Sequence, residues 1–374
     1  MIPISSTIDE QITKLEDEIR MTQKNKATEK HIGILKSKIA KLRRKKLEQA
    51  SSKSGASYGF DIKKAGDSSA VLIGFPSTGK STLLTKITSK ESKIGEYAFT
   101  TTSAIPGILH HRGAQIQIID LPGIIEEASK GKGRGKEILA VARGTDLIIL
   151  LLDNVHPLDR YDKVMDELSK VAIRPGQTEP DIRITKKERG GIALSTLSKL
   201  THMTEKTFMS ILREYKVMNA AVTVRGDPTI DELIDVLEGN RVYPKLLIVI
   251  NKIDLLSNKT IKTLRKTLPD AIFISALEEE NLDILKDRII DDLELIQVYL
   301  KKQRSKTDFD EPLIVKRNSS ILDICNKIHR KFKEQFRYAV VNGPSSKHPN
   351  QRVGLDHIIK EGDVITIIIK HKQF

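Results

Sequence analysis

The chemistry of this chain is concentrated first in a stretch that reads AVLIGFPSTGKST over residues 70–82. A short apolar run, 70–73, breaks at Gly74 into Gly74, Phe75, Pro76, Ser77, Thr78, Gly79, Lys80 and Ser81, which fits G-x-x-x-x-G-K-[ST] without a mismatch. The two glycines let the backbone turn tightly. Successive N–H groups, and the N-terminus of a helix that begins near Lys80 and runs through Thr82, then converge on one anion. In such a loop Lys80 reaches the β- and γ-phosphates of a nucleotide, and the Ser81 hydroxyl takes one position on a Mg²⁺ ion.

Four further segments carry groups that suit the same ligand. Thr101, in the β-branched stretch 97–102, is the residue expected to complete the Mg²⁺ shell and sense the γ-phosphate, although by composition alone a solvated edge strand is the simpler account. A hairpin of 105–111 and 116–119, turning at 112–114, should deliver Asp120, Leu121, Pro122 and Gly123 to a strand end. There Asp120 could hold the metal through water, and the Gly123 amide could bind the γ-phosphate. The next residue, Ile124, has no side-chain hydrogen-bonding group where many switch GTPases place a glutamine, so hydrolysis unaided should be slow. Asn251, Lys252, Ile253 and Asp254 follow an apolar strand at 245–250 and choose the base. A carboxylate at Asp254 accepts from guanine N1–H and the 2-amino group, which adenine cannot match. After another strand, Ser275, Ala276 and Leu277 form a loop whose backbone amide should meet guanine O6.

Something must position these segments. Buried strands alternating with helices from residue 69 onward argue for a mostly parallel α/β sheet. Some ninety residues separate the strand near 146–153 from that at 245–250, which marks an insertion at roughly 172–241. It has a Gly190-Gly191 turn and helices expected at 204–215 and 229–238, with no catalytic constellation. Before the phosphate loop, apolar spacing predicts two amphipathic helices parted at 22–26. The second should end in the cations 41–46, suited to a helix C-terminus or equally to RNA, ahead of a Ser-rich linker at 51–57. Beyond Leu300 a charged linker precedes a compact module with strands at 312–316, 338–341 and 364–369 and a helix at 319–332. Its tract 343–348 offers a binding surface and no nucleophile–base pair.

Composition narrows the classes. The 374 residues suggest two or three domains, and the net charge of +14 favours polyanionic partners, RNA or the ribosome, over a merely lysine-rich surface. The longest apolar run, 147–152, is too short to cross a bilayer and the first ten residues are too polar for a signal segment, so a cytoplasmic protein without a membrane partner is expected. The single cysteine, Cys325, falls in an apolar helical pattern and is expected to be buried.

Taken together, TQKNKATE at 22–29, GFPSTGKST, YAFTT, DLPGII followed by GKGRGK, GNRVY at 239–243, NKID, RVGLDH at 352–357 and EGDVI at 361–365 closely resemble the developmentally regulated GTP-binding proteins, within the Obg-like GTPases. The resemblance runs nearly end to end. It implies an N-terminal helix-turn-helix region (1–57) and a Ras-like P-loop GTPase domain (58–171 and 242–295). It also implies an inserted small α/β domain (172–241) and a C-terminal TGS domain of β-grasp shape (296–374). It further implies a GTP hydrolase with GTP or GDP as ligand, associated with the ribosome and translation and stabilised by a small regulatory protein. Departures at Thr78 and Thr102 bear on switch geometry; relatives that use potassium place asparagine where Ser77 stands, which leaves K⁺ open as a second cation. The expected activity is a guanine-nucleotide switch; a nucleotide-gated scaffold with incidental hydrolysis is the alternative, and Asp254 disfavours an ATPase.

Overall fold

A computed structural model describes residues 7–52, 66–88, 105–120, 141, 143–301, 309 and 311–369. Their packing divides them into two compact units. One draws on 1–61, 125–143 and 162–244, the other on 62–124, 144–161 and 245–374.

The second unit is built on the apolar runs read from the sequence. β1 (Ser68–Gly74), β2 (Ile105–His111), β3 (Ala114–Asp120), β4 (Leu147–Leu152), β8 (Lys245–Ile250) and β9 (Ile272–Phe273) form one sheet in the order β2-β3-β1-β4-β8-β9. Every pairing is parallel except the β2–β3 hairpin. β1 and β4 are buried along their whole length, which is why they read as unbroken apolar runs. Helices α3 (Lys80–Ile87) and α8 (Leu282–Asp292) supply Leu83, Leu84, Ile87, Leu285 and Ile289 to the same core.

A five-stranded sheet follows in this unit, ordered β11-β10-β14-β12-β13 from β10 (Leu295–Leu300), β11 (Leu313–Lys316), β12 (Phe336–Asn342), β13 (Gln351–Val353) and β14 (Val364–Ile369). The module therefore starts earlier than its composition suggests, because β10 precedes the charged linker. The single helix expected at 319–332 is two, α9 (Ile321–Ile328) and α10 (Arg330–Gln335), broken where His329 is extended at φ −169°. Cys325 is fully buried, and that burial pushes its thiol pKa up. The tract 343–348 does hold a hydroxyl–imidazole contact, since Ser345 Oγ lies 2.9 Å from His357 Nε2. No hydrogen-bond partner for His357 Nδ1 is present among the described residues. The contact works beside buried Asp363, which accepts from the Ser345 and Lys360 amides, to fasten the turn.

In the first unit α1 (Ile8–Met21) starts with a capping box between Thr7 and Glu10, and α2 (Glu29–Ser52) packs against it. The second helix does not end at 41–46; it runs on through Ser51 and Ser52, and residues 53–57 of the expected linker lie outside the described residues. Its cations are consequently mid-helix and meet carboxylates. Lys41 reaches Glu214 at 2.9 Å, Arg43 reaches Glu16 at 2.7 Å and Arg44 reaches Glu48 at 2.8 Å. The dipole account of these charges is thereby overturned.

The inserted segment contributes β5 (Ile182–Lys186), β6 (Ile192–Thr196) and β7 (Ala220–Val224), ordered β5-β7-β6, with helices α5 (Glu205–Glu214) and α6 (Ile230–Glu238). Both helices begin at the expected threonines. Thr204 and Thr229 accept from backbone N–H groups of the first turn. At the end of α6, Asp235 is 4% exposed and takes both Arg174 (Nε at 2.7 Å, Nη2 at 2.9 Å) and Arg241 (Nε at 2.6 Å).

Candidate functional site: a guanine-nucleotide pocket

The phosphate loop leaves the C-terminal end of β1, and sterics fix its glycines. A Cβ on Gly74 would stand 2.5 Å from the Leu151 carbonyl oxygen; one on Gly79, at φ +93°, would stand 2.5 Å from Asn251 Nδ2. Gly79 is also the residue from which α3 departs, so the free amides of the first turn face the loop's concavity. Thr78 is fully buried and its hydroxyl donates to the Phe75 carbonyl at 2.8 Å. Lys80 Nζ donates to the carbonyls of Gly74 (3.0 Å) and Phe75 (2.8 Å), which holds the ammonium over the loop. Pro76, Ser77, Ser81 and Thr82 are exposed.

Loops 74–82 and 251–254 are joined by side chains from the second. Asn251, 2% exposed, donates from Nδ2 to the Thr78 carbonyl at 2.8 Å, and its Oδ1 accepts from the Ala276 amide at 2.9 Å. Lys252, left-handed at φ 62°, extends its ammonium to the Ser77 carbonyl at 2.6 Å. Ile253 is buried and donates its amide to Ile274, whereas Asp254 is exposed. Ser275 and Ala276 are buried, and Leu277 is exposed. The three loops therefore meet at the carboxyl ends of β1, β8 and β9, where open α/β sheets bind ligands.

Asp120, the last residue of β3, is 3% exposed and its Oδ1 has no hydrogen-bond partner among the described residues. Burial pushes its carboxyl pKa up, while the Lys80 ammonium pulls it back down. An orphaned buried carboxylate oxygen next to a phosphate-loop lysine fits the acceptor that a hydrated divalent cation requires. Of the remaining sequence expectations, Thr101, Leu121, Pro122, Gly123 and Ile124 lie outside the described residues.

One pair at this site escaped the sequence reading. Asp153, 3% exposed and just past β4, is gripped by Arg160 of helix α4 (Pro157–Lys170), whose guanidinium also sits 5.2 Å from the centroid of the Phe75 ring. Lys252 Nζ lies 3.9 Å from the other Asp153 oxygen. The available signal was a carboxylate directly after a fully buried strand, a position that burial alone does not tolerate without a cation.

Fold and site together define a P-loop GTPase domain followed by a TGS domain. Residues 69–187 match the family model described as 50S ribosome-binding GTPase, 189–295 match the C-terminal region of that domain, and 296–369 match the TGS domain. An uncharacterized GTP-binding protein of Methanocaldococcus jannaschii is 49% identical, over 97% of this chain and 93% of its own. Human developmentally-regulated GTP-binding protein 2 is 44% identical over 96% and 99%, and ribosome-interacting GTPase 1 of Saccharomyces cerevisiae is 45% identical over 98% and 100%. The chain belongs to the developmentally regulated GTP-binding protein family. It is a GTP-binding protein, and among the described residues no helix is long and apolar enough to cross a membrane.

Proposed function

We propose that this chain hydrolyses GTP to GDP and phosphate and uses the cycle as a switch on the ribosome. The observation that carries the reading is the single hydrogen-bonded assembly of Lys80, Thr78, Asn251 and Ala276, with the unsatisfied carboxylate of Asp120 next to Lys80. In this reading the amides of 74–82 and Lys80 bind the phosphates, and Ser81, Thr101 and Asp120 would hold Mg²⁺. The Gly123 amide meets the γ-phosphate, and Asp254 reads the guanine edge. Mg²⁺ supplies neutralisation of the charge that builds on the phosphate oxygens. The 252–254 turn and the 275–277 loop frame the base, and discrimination against adenine follows from an Asp254 carboxylate left unpaired by the wrong base.

Phosphate release from GTP, followed for the native chain and for Lys80→Ala with and without Mg²⁺, tests the chemistry. Turnover should need both the lysine and the ion. Rates in equimolar KCl and NaCl test whether potassium contributes. The ribosomal part is supported by the likeness to ribosome-interacting GTPase 1 of yeast and by the charge of +14. Co-sedimentation with ribosomes should be stronger with a GTP analogue than with GDP. Equal recovery in both states would count against a nucleotide switch of either kind, whereas a hydrolysis-blocked variant that still supports function would favour the second reading, a nucleotide-gated scaffold in which hydrolysis is incidental, which Ile124 motivates.

A further inference from the structure

On α2, Lys36, Lys41 and Arg43 are taken up by carboxylates of neighbouring helices, while Lys38 and Lys45 are exposed and unpaired among the described residues, so α2 and the inserted sheet are the two places where charge could meet a polyanion. The inserted sheet has one face packed on α5 and α6, through Ile182, Ile184, Leu194, Val222 and Val224. Register places the opposite face in rows: Arg183 beside Thr223 and Ser195, then Thr185 beside Ala221 and Ala193. Arg183, Thr185, Ala193 and Ser195 are exposed, and Ala221 and Thr223 on the central strand are half-buried. The face is about 10 Å across and about 15 Å long by strand spacing and rise.

Its rim is basic and ordered. Arg183 on the face, and Lys187 and Arg189 in the turn at its edge, are exposed and have no ion-pair partner among the described residues. The turn that carries Lys187 and Arg189 is pinned by Asn219, whose Oδ1 accepts from the Gly191 amide at 2.8 Å and whose backbone carbonyl accepts from Lys187 at 2.9 Å. Asp181 faces Arg225 at 3.4 Å, and Glu188 is the other carboxylate of this rim. The cations therefore outnumber the acids and stand ready where they are.

We propose that this face is a docking surface for double-helical RNA. The chemistry distinguishes the duplex from a single strand. Readers of single strands stack bases on aromatic rings, and the rows of this face hold threonine, serine, alanine and arginine with no ring among them. Hydroxyls and guanidinium groups on a flat surface suit phosphates and 2′-hydroxyls across a shallow minor groove, which is recognised by shape and not by sequence. The proposal rests on the ribosomal reading above and adds to it the surface and the form of RNA.

The test uses the full chain and a synthetic RNA duplex of about 16 base pairs, the span of a double-strand reader, titrated at several salt concentrations. In Arg183→Gln, Lys187→Gln, Arg189→Gln combined, affinity should fall about tenfold or more and the salt slope should decrease by about 3, one for each phosphate contact removed. Guanine-nucleotide affinity and the melting temperature should not change. Undiminished binding with an unchanged slope overturns the surface, and it does so most directly if Lys38→Gln with Lys45→Gln on α2 lowers binding instead. Tighter binding of the single strand than of the duplex overturns the form of RNA. A triple variant that loses ribosome co-sedimentation yet keeps its duplex affinity overturns the proposal in favour of a protein partner. Failure of the native chain to bind duplex while still sedimenting with ribosomes overturns this proposal and leaves the ribosomal reading standing.

Discussion

The side-chain amide of Asn251 donates to the carbonyl oxygen of Thr78 at 2.8 Å, joining two loops 173 positions apart in the chain. Because its Oδ1 simultaneously accepts from Ala276, one buried side chain sets the spacing between the phosphate and base ends of the pocket. Asn251→Ala leaves the Thr78 carbonyl and the Ala276 amide buried without that partner, a cost of about 1–3 kcal/mol. Guanine-nucleotide dissociation, followed with a fluorescent GDP, should accelerate by about tenfold or more, while denaturant unfolding shows only the smaller loss of stability. An unchanged dissociation rate would remove Asn251 from any role in holding the site together.

Burial raises the Asp120 carboxyl pKa above its ordinary value, and this fixes the sign of a pH effect. A carboxyl that binds its proton more tightly in the fold favours the native state at low pH. That advantage is lost as pH climbs through the raised value, so at neutrality the ionised group is a liability in the nucleotide-free protein. Asp120→Asn should therefore melt higher than the native chain at neutral pH, by about 2 °C, and the difference should close as pH falls below about 4. The same variant should bind GTP with a weaker dependence on Mg²⁺. Differential scanning calorimetry across pH checks the first half and nucleotide titration with and without the ion checks the second.

The parts of this molecule that were legible were those with a local cause. The strand expected at 70–73 is Ser68–Gly74, that at 245–250 has the same bounds in the structure, and the helices near 204 and 229 start on threonine caps. Each is announced by an apolar run or a cap within a few residues. What stayed hidden depends on partners distant in sequence. The sheet β5-β7-β6 joins strands of five residues whose alternation is diluted by Thr, Ser and Ala on the open face. The length of α2 is hidden because its cations look like a terminus until Glu16 and Glu214 are seen opposite them. Composition alone starts the last module after residue 300, because β10 pairs with β11 and β14 across a charged linker, whereas the family resemblance already begins it at 296.

Arg160 holds Asp153, whose side chain is 5% exposed, while touching Phe75 of the phosphate loop. Removing the cation alone leaves the buried carboxylate with the Val155 amide at 3.1 Å and the longer Lys252 contact at 3.9 Å as its remaining partners. Arg160→Ala should lose about 3 kcal/mol in urea unfolding and should also speed GDP release, since Lys252 then has a free carboxylate to turn to. Arg160→Ala combined with Asp153→Ala should recover most of the stability, giving a coupling energy well outside measurement error. Independent, additive losses would show that the pair is incidental to the loop.

Asp235 offers a contrasting case, in which charge serves architecture. Its two oxygens are shared between Arg174, 13% exposed, and Arg241, 10% exposed, so one carboxylate offsets two enclosed guanidinium groups. Asp235→Ala leaves both cations facing each other without it, and the unit containing the inserted sheet should lose about 3 kcal/mol or more. Asp235→Asn keeps an acceptor but not the charge and should fall between the two. Guanine-nucleotide affinity, measured by titration at a temperature where every variant is folded, should match the native chain in both. The loss should appear instead as earlier hydrogen exchange in 220–238, because the ion cluster closes the end of the helix that this sheet packs against.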